Sequence, residues 1–463
     1  MVESQPSKLS VAGSIPVSRS ISGSLPEPSR SAVNPRAGVS TVVVALLLGL
    51  LASPFQAAVA TEVRTGPPFS EAELIARLGE HRTAIRIGRE GLAGPGGEAI
   101  LEAAVPAQFV ALGEEHNSRA IPHFTVALFR SLNARHGFDH LALEEGPALG
   151  RLVSEAVRSP DPDAVPALGR RYPNAFHMFS VEELWMMAEV GEISAVADPI
   201  WGLNQEFGAA HVFARLAEIA PDVAARDVAR ELLARAMEYE GERFARNVHY
   251  LAAVATPADF VRLRDAFRPA AGSEAEALID QTELSARIYA PYGAKTRPPG
   301  GAFHASAVAR EQNMKTLLGQ HLRPAAGAPG GPPRVLVKSG HFHLYRGRST
   351  RTEVYTLGNF LSELSAFFGR ESLHLYVVTD EPWLREGWPR PFALAAEAGA
   401  QLPGDGLLFD LRPLAAWARG AELHAEVRRL LLGYDFFVFL RDGEGASVEG
   451  LLGPGGRWYP EEE

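Results

Sequence analysis

Three short stretches of this chain bring together residues able to move protons or hold a metal. Phe109-Val-Ala-Leu-Gly-Glu-Glu-His116 ends an apolar run in Glu114, Glu115 and His116. His140-Leu-Ala-Leu-Glu-Glu145 ends a second run in Glu144 and Glu145. Arg334-Val-Leu-Val-Lys-Ser-Gly-His-Phe-His343 carries His341 and His343 just beyond a third. A carboxylate beside an imidazole orients it and raises its basicity, which suits a general base. His and carboxylate side chains together are also a ligand set for a divalent cation. Acidic residues equally favour a helix N-terminus, so Glu114 and His116 draw their meaning from following a buried strand. Strand alternation does not choose between Glu144 and Glu145, because the strand ends there. His341 and His343 would face one side if the chain is extended at that point. Arg310, in Arg310-Glu-Gln-Asn-Met314, could hold a carboxylate or an oxyanion through paired hydrogen bonds. Taken alone, a surface Arg on an Arg-rich chain is the favoured reading of Arg310.

Composition removes several chemistries. The chain has no Cys, so disulfides, thiolate metal sites, iron–sulfur clusters and a Cys nucleophile are excluded. Any metal would need His and carboxylate ligands. The formal net charge is −10, without a long basic patch, so nucleic acid is not an expected partner. A G-x-S-x-G elbow, H-E-x-x-H, G-x-x-x-x-G-K-[ST] and G-x-G-x-x-G are all absent. Water activated by His and carboxylate is then the natural nucleophile.

The elements that must position these residues follow from hydrophobic periodicity. Phe109 to Leu112, Leu141 to Leu143 and Val335 to Val337 read as buried strands. A helix over 120–134 joins the first two, the βαβ pattern of a parallel sheet. Such crossovers are almost always right-handed, which brings His116 and Glu144 to one sheet edge. Ser70 with Glu73 and Ser180 with Glu183 mark capping-box helix starts. Gly91 to Gly97 reads as a turn-rich connection, and Ala195 to Leu203 as a strand ending in Asn204-Gln-Glu206. Residues 208–322 read as a run of helices, a helical insertion or lid, with 289–301 a loop able to cover a site. Short strands at 406–410 and 435–441 and a helix at 422–432 form a small C-terminal α/β extension over 381–463. The expected fold is therefore α/β, a central mostly parallel sheet flanked by helices, with its main domain over 61–380.

Residues 1–60 are expected to lie outside that fold. Residues 2–40 are rich in Ser, Pro and Gly. Thr41 to Ala52 is an apolar run too short for a confident membrane span, with Arg36 before it and Ala58-Val-Ala60 after it. This is the pattern of a signal peptide over about 36–60, and it predicts export to the periplasm or the cell exterior, with no stable membrane span afterwards.

In their order, Phe109-Val-Ala-Leu-Gly-Glu-Glu-His116, Leu141-Ala-Leu-Glu144, Trp201-Gly-Leu-Asn204, Arg310-Glu-Gln-Asn-Met314 and Val335-Leu-Val-Lys-Ser-Gly-His-Phe-His343 resemble the erythromycin esterase-like proteins. These form a superfamily with the ChaN haem-binding and Tiki groups. The resemblance spans roughly 105–365. It implies a site of Glu114, His116, Glu144, His343 and Arg310, and it selects Glu114 over Glu115 and His343 over His341. It implies ester hydrolysis by His-activated water, or binding of haem or a divalent metal. The metal ligands would then be His116, Glu144 and His343. Glu115, Asn204 and His341 are the expected substrate contacts, and the expected partner is a small molecule. Two positions differ from the esterase members. The spacing here is G-E-x-H, closer to the ChaN and Tiki groups, and Asn204 stands where an aspartate is often found.

Overall fold

A computed structural model describes residues 70–241, 249–293, 300–325, 331–349, 352–380 and 390–448. The expected signal segment lies outside the described residues. Among them no helix is long and apolar enough to cross a membrane.

The core is a nine-stranded sheet. Its strands are β1 (Arg82–Gly88), β2 (Gly91–Ala93), β3 (Ala107–Glu114), β4 (Phe138–Leu143), β5 (Ile200–Gly202), β6 (Arg334–Gly340), β7 (Glu371–Thr379), β8 (Gly406–Asp410) and β9 (Phe436–Leu440). Their order across the sheet is β2-β1-β8-β9-β7-β3-β6-β4-β5. The strands from β9 to β5 are mutually parallel, whereas β8, β1 and β2 pair antiparallel. The α/β class with a mostly parallel sheet is thus as expected.

β3 is buried along its full length, as a strand covered on both faces must be. Its residues alternate between two cores. Val110 and Leu112 join Leu141, Leu143 and Leu336 under the helices Ala120–His136 and Val181–Ile193. Phe109 and Ala111 join Ala142, Val335 and Val337 under Ala302–Leu322 and Leu357–Phe367. Each fully buried Phe or Leu here contributes about 1.5–3 kcal/mol of transfer free energy. The register aligns Glu114 with Gly340 and Leu143 with Lys338, so the C-terminal ends of β3, β6 and β4 finish side by side.

Several details differ from the sequence reading. Arg82–Gly88 forms a strand, and the turn-rich stretch after it supplies β2 and the start of the helix Gly94–Ala103. The expected strand over 195–203 shortens to Ile200–Gly202. Described residues within 208–322 are mostly helical; of the helix expected over 222–251, residues 242–248 lie outside the described residues and His249 is extended, and Tyr289 to Gly293 complete the helix Glu274–Gly293 instead of opening a loop. Residues 294–299 of that expected loop lie outside the described residues. The C-terminal extension is an extension of the sheet itself: β9 pairs with β7, and β8 links β9 to β1.

Candidate functional site

Glu144, just past the end of β4, is the hub. Its Oε2 accepts hydrogen bonds from the Ser339 hydroxyl and the Gly340 backbone N–H, both at 2.6 Å. Its Oε1 accepts from the Arg310 guanidinium. Three imidazoles face the same carboxylate. His177 Nδ1 lies 3.5 Å away, His343 Nε2 3.7 Å and His116 Nε2 4.0 Å. Glu144 is 4% exposed. Burial pushes its carboxyl up, but Arg310 and the three imidazoles outweigh burial and hold it well below the usual value of 4.5.

Two of those imidazoles are oriented by further carboxylates. His116 Nδ1 lies 3.3 Å from Glu114 Oε1. His343 Nδ1 lies 2.6 Å from Glu311 Oε1, and the other oxygen of Glu311 accepts from Leu357 N–H. With Nδ1–H donated to a carboxylate, each ring turns the lone pair of Nε2 toward Glu144. Burial pulls the His116 pKa down, yet the Glu114 hydrogen bond and the Glu144 charge raise it above 6.5. His177 is different. Burial holds it well below 6.5 despite Glu144, so it is neutral, and its Nδ1 has no hydrogen-bond partner.

Glu114 is itself held from behind. Lys338 Nζ, on β6, donates to Glu114 at 2.9 Å and to Glu183 at 2.7 Å, and the lysine is 2% exposed. Burial disfavours that ammonium, but the two carboxylates raise its pKa. Burial pushes Glu183 up in spite of Lys338, while Glu114 ends lowered. A small cavity beside Glu144 is lined by Glu114, Glu145, Glu183, Lys338, Met178 and Met187. A chain of contacts therefore runs Glu183–Lys338–Glu114–His116–Glu144–Arg310.

Glu144 and Glu145 part company at the strand end. Glu145 turns away and accepts from the backbone N–H groups of His177 and Met178, which ties down the loop bearing His177. Burial raises its pKa well above 4.5. Gly340 is fixed by proximity. A Cβ there would stand 2.9 Å from His116 Nε2 and 3.3 Å from Glu144 Oε2.

His116, Glu144, His343 and Arg310 converge, and Glu114 supports His116. His341 and His343 do not act together, because residues His341–Leu344 form a helical turn instead of an extended segment. His341 Nδ1 points to Glu115 at 2.8 Å, and Tyr376 donates to the same Glu115 oxygen at 2.6 Å. Glu115 and His341 thus form a separate pair beside the cluster. Asn204 is fully buried; its Oδ1 accepts from Arg310 Nε at 3.1 Å. Through that bond it steadies Arg310.

Among the described residues, the trio with ligand atoms all within 4.8 Å of one another is His116, Glu144 and His177. His177, and not the expected His343, completes that trio. Sequence reasoning missed His177, Glu183, Glu311 and Lys338. Lys338 left a usable signal, since a lysine inside an apolar strand must find carboxylates once buried. Glu183 was legible only as a cap: its N–H does donate to Ser180, but its side chain goes to Lys338.

No family model matches this chain, and no curated protein matches it. Solved structures do. A succinoglycan biosynthesis protein aligns over 82% of this chain and 99% of its own, at 15% identity and a TM-score of 0.53. A mutant of the erythromycin esterase EreC, in its open conformation, aligns over 79% of this chain and 99% of its own, at 14% identity and a TM-score of 0.52. A ChaN of Campylobacter jejuni with cofacially bound haem aligns over 78% of this chain and 97% of its own, at 10% identity and a TM-score of 0.29, too low to bear on the site. The chain has the fold of the erythromycin esterase-like proteins, in keeping with the order of its motifs.

Proposed function

We propose that the protein hydrolyses an ester or related acyl bond by metal-independent activation of water. One observation carries this reading: two carboxylate-oriented imidazoles, His116 on Glu114 and His343 on Glu311, flank the Glu144–Arg310 pair. His116 takes a proton from water at Nε2 while Glu114 stabilises the imidazolium. The hydroxide attacks the carbonyl carbon, and the guanidinium of Arg310 faces the oxyanion. His116 returns that proton from Nε2 to the leaving oxygen as the tetrahedral intermediate collapses, and His343, held by Glu311, flanks the Glu144–Arg310 pair from the other side. Ser339 and Gly340 hold Glu144, and Glu144 in turn holds Arg310. An export signal over 36–60 would make this an activity of the periplasm or the cell exterior. The test is turnover of a panel of esters and lactones by the purified protein and by His116→Ala, with circular dichroism to establish that the variant is folded. Turnover that survives His116→Ala in a folded protein sinks the assignment.

A second reading is supported by the unpartnered Nδ1 of His177. His116, Glu144 and His177 have the donor types of a divalent-cation site. A bound cation would supply an acidified water. Against it, Arg310, Ser339 and Gly340 already fill most of the acceptor capacity of Glu144, and a cation there would face the Arg310 charge. Metal analysis and an absorbance scan separate the readings. Stoichiometric metal lost in His177→Ala would favour the cation, and a Soret band would favour haem.

A further inference from the structure

His116 sits at the start of a loop that has little to hold it from within. Asn117 follows with φ of 68°, a left-handed conformation that Asn tolerates at some cost. The Ser118 hydroxyl accepts from Ala120 N–H, two residues on, at 3.2 Å. What holds this loop comes from the far end of the described chain. After β9 the backbone returns to the loop of His116, and residues 444–446 pair antiparallel with residues 117–119. Arg119 N–H donates to the Glu444 carbonyl at 3.1 Å, and Ala446 N–H donates to the Asn117 carbonyl at 2.8 Å. Ser118 and Gly445 form the bridge between them.

The other edge of this segment is also occupied. Val181 N–H donates to the Ser447 carbonyl at 2.7 Å, and Ser447 N–H donates to the Glu182 carboxylate at 2.9 Å. Val181 opens the helix that carries Glu183. The segment therefore ties together the loop of His116 and the helix of Glu183, the two ends of the chain of contacts through Lys338 and Glu114. Val448 packs on the core beneath it. Arg119 adds ion pairs to Asp442, at 3.0 Å, and to Glu444. These are partly exposed and salt-screened, so the backbone ladder is the principal restraint.

We infer that residues 442–448 are a positioning strap, which fixes His116 on Glu114 by pairing with the loop Asn117–Arg119. The strap touches no reacting atom. It acts through the orientation of His116, so it changes turnover more than binding. For the turnover arm this rests on the hydrolytic reading above; the structural arm does not.

The test uses the full chain with Ala446→Pro, which deletes the N–H that donates to Asn117. Ala446→Ser retains that N–H and is the control. The strap predicts that the Arg119 amide exchanges about tenfold faster in Ala446→Pro than in Ala446→Ser, through local opening. It also predicts a shifted His116 ring resonance and a fall in kcat of about tenfold with KM within about twofold, as for loss of an interaction that matters after binding. Arg119→Ala should give a smaller change of the same kind that shrinks as salt rises. Unchanged exchange at Arg119, or an unmoved His116 resonance, overturns the strap. So does faster exchange with unchanged kcat in an active protein. If the parent protein turns over none of the panel, the hydrolytic reading fails, and Arg119 exchange together with the His116 resonance decides the strap.

Discussion

His116 gains its character from its neighbours. Burial alone would make it a weak base; Glu114 at Nδ1 and Glu144 facing Nε2 raise it above 6.5. The raised value stabilises the folded state fully below 6.5, and that contribution is lost as pH rises through the folded value. In the hydrolytic proposal, the base becomes competent over the same window. The acid limb of kcat/KM is therefore expected to have its midpoint above 6.5, and Glu114→Gln should move it down. A midpoint unmoved by Glu114→Gln would count against His116 as the base. Lys338 makes a separate prediction. Its ammonium is buried between Glu114 and Glu183, so Lys338→Met leaves two carboxylates buried without their shared cation. Removing one partner of a buried pair costs about 3–5 kcal/mol, read from the shift in urea unfolding. A loss below about 1 kcal/mol would mean that the pair is hydrated, as at a surface.

The strand ends that carry Glu114, His116 and Glu144 were legible because each follows a short apolar run, and parallel pairing brings such ends together. The glycine between Ser339 and His341 is part of that geometry. Gly340→Ala adds a methyl group against His116 and Glu144 that neither can avoid without leaving the other. The expected result is a stability loss of about 1–3 kcal/mol with a larger proportional loss of turnover. Full activity in Gly340→Ala would mean that His116 does not need its present position. Other elements hid their role. Lys338 reaches Glu114 across 224 positions of sequence and Glu183 across 155, and no local periodicity encodes such pairings. His177 lies in a loop whose position is set by Glu145, so its arrival beside Glu144 depends on tertiary contacts. The turn at His341–Leu344 defeated the reading of paired histidines, because two residues that share a face in a strand point well apart in a helix.

The order β8-β9-β7-β3 carries a consequence for the chain as a unit. The last described strand lies inside the sheet, and its residues complete a core with the helix Glu71–Glu80. A chain ending at residue 380 would keep every site residue named here, yet it would lose β8 and β9 and leave β7 an open edge. We expect it to lack a sharp cooperative unfolding transition; a sharp one would show that 61–380 folds on its own. The described chain thus closes on itself twice, once through the sheet and once through the strap over His116. Both closures serve a site whose central claim is simple: His116, oriented by Glu114, activates water. The direct measurement is kcat/KM on an ester or lactone that the purified protein turns over, compared between parent and folded His116→Ala. A fall of about 10²–10⁴-fold is the expected cost of losing a general base; an unchanged kcat/KM would contradict it.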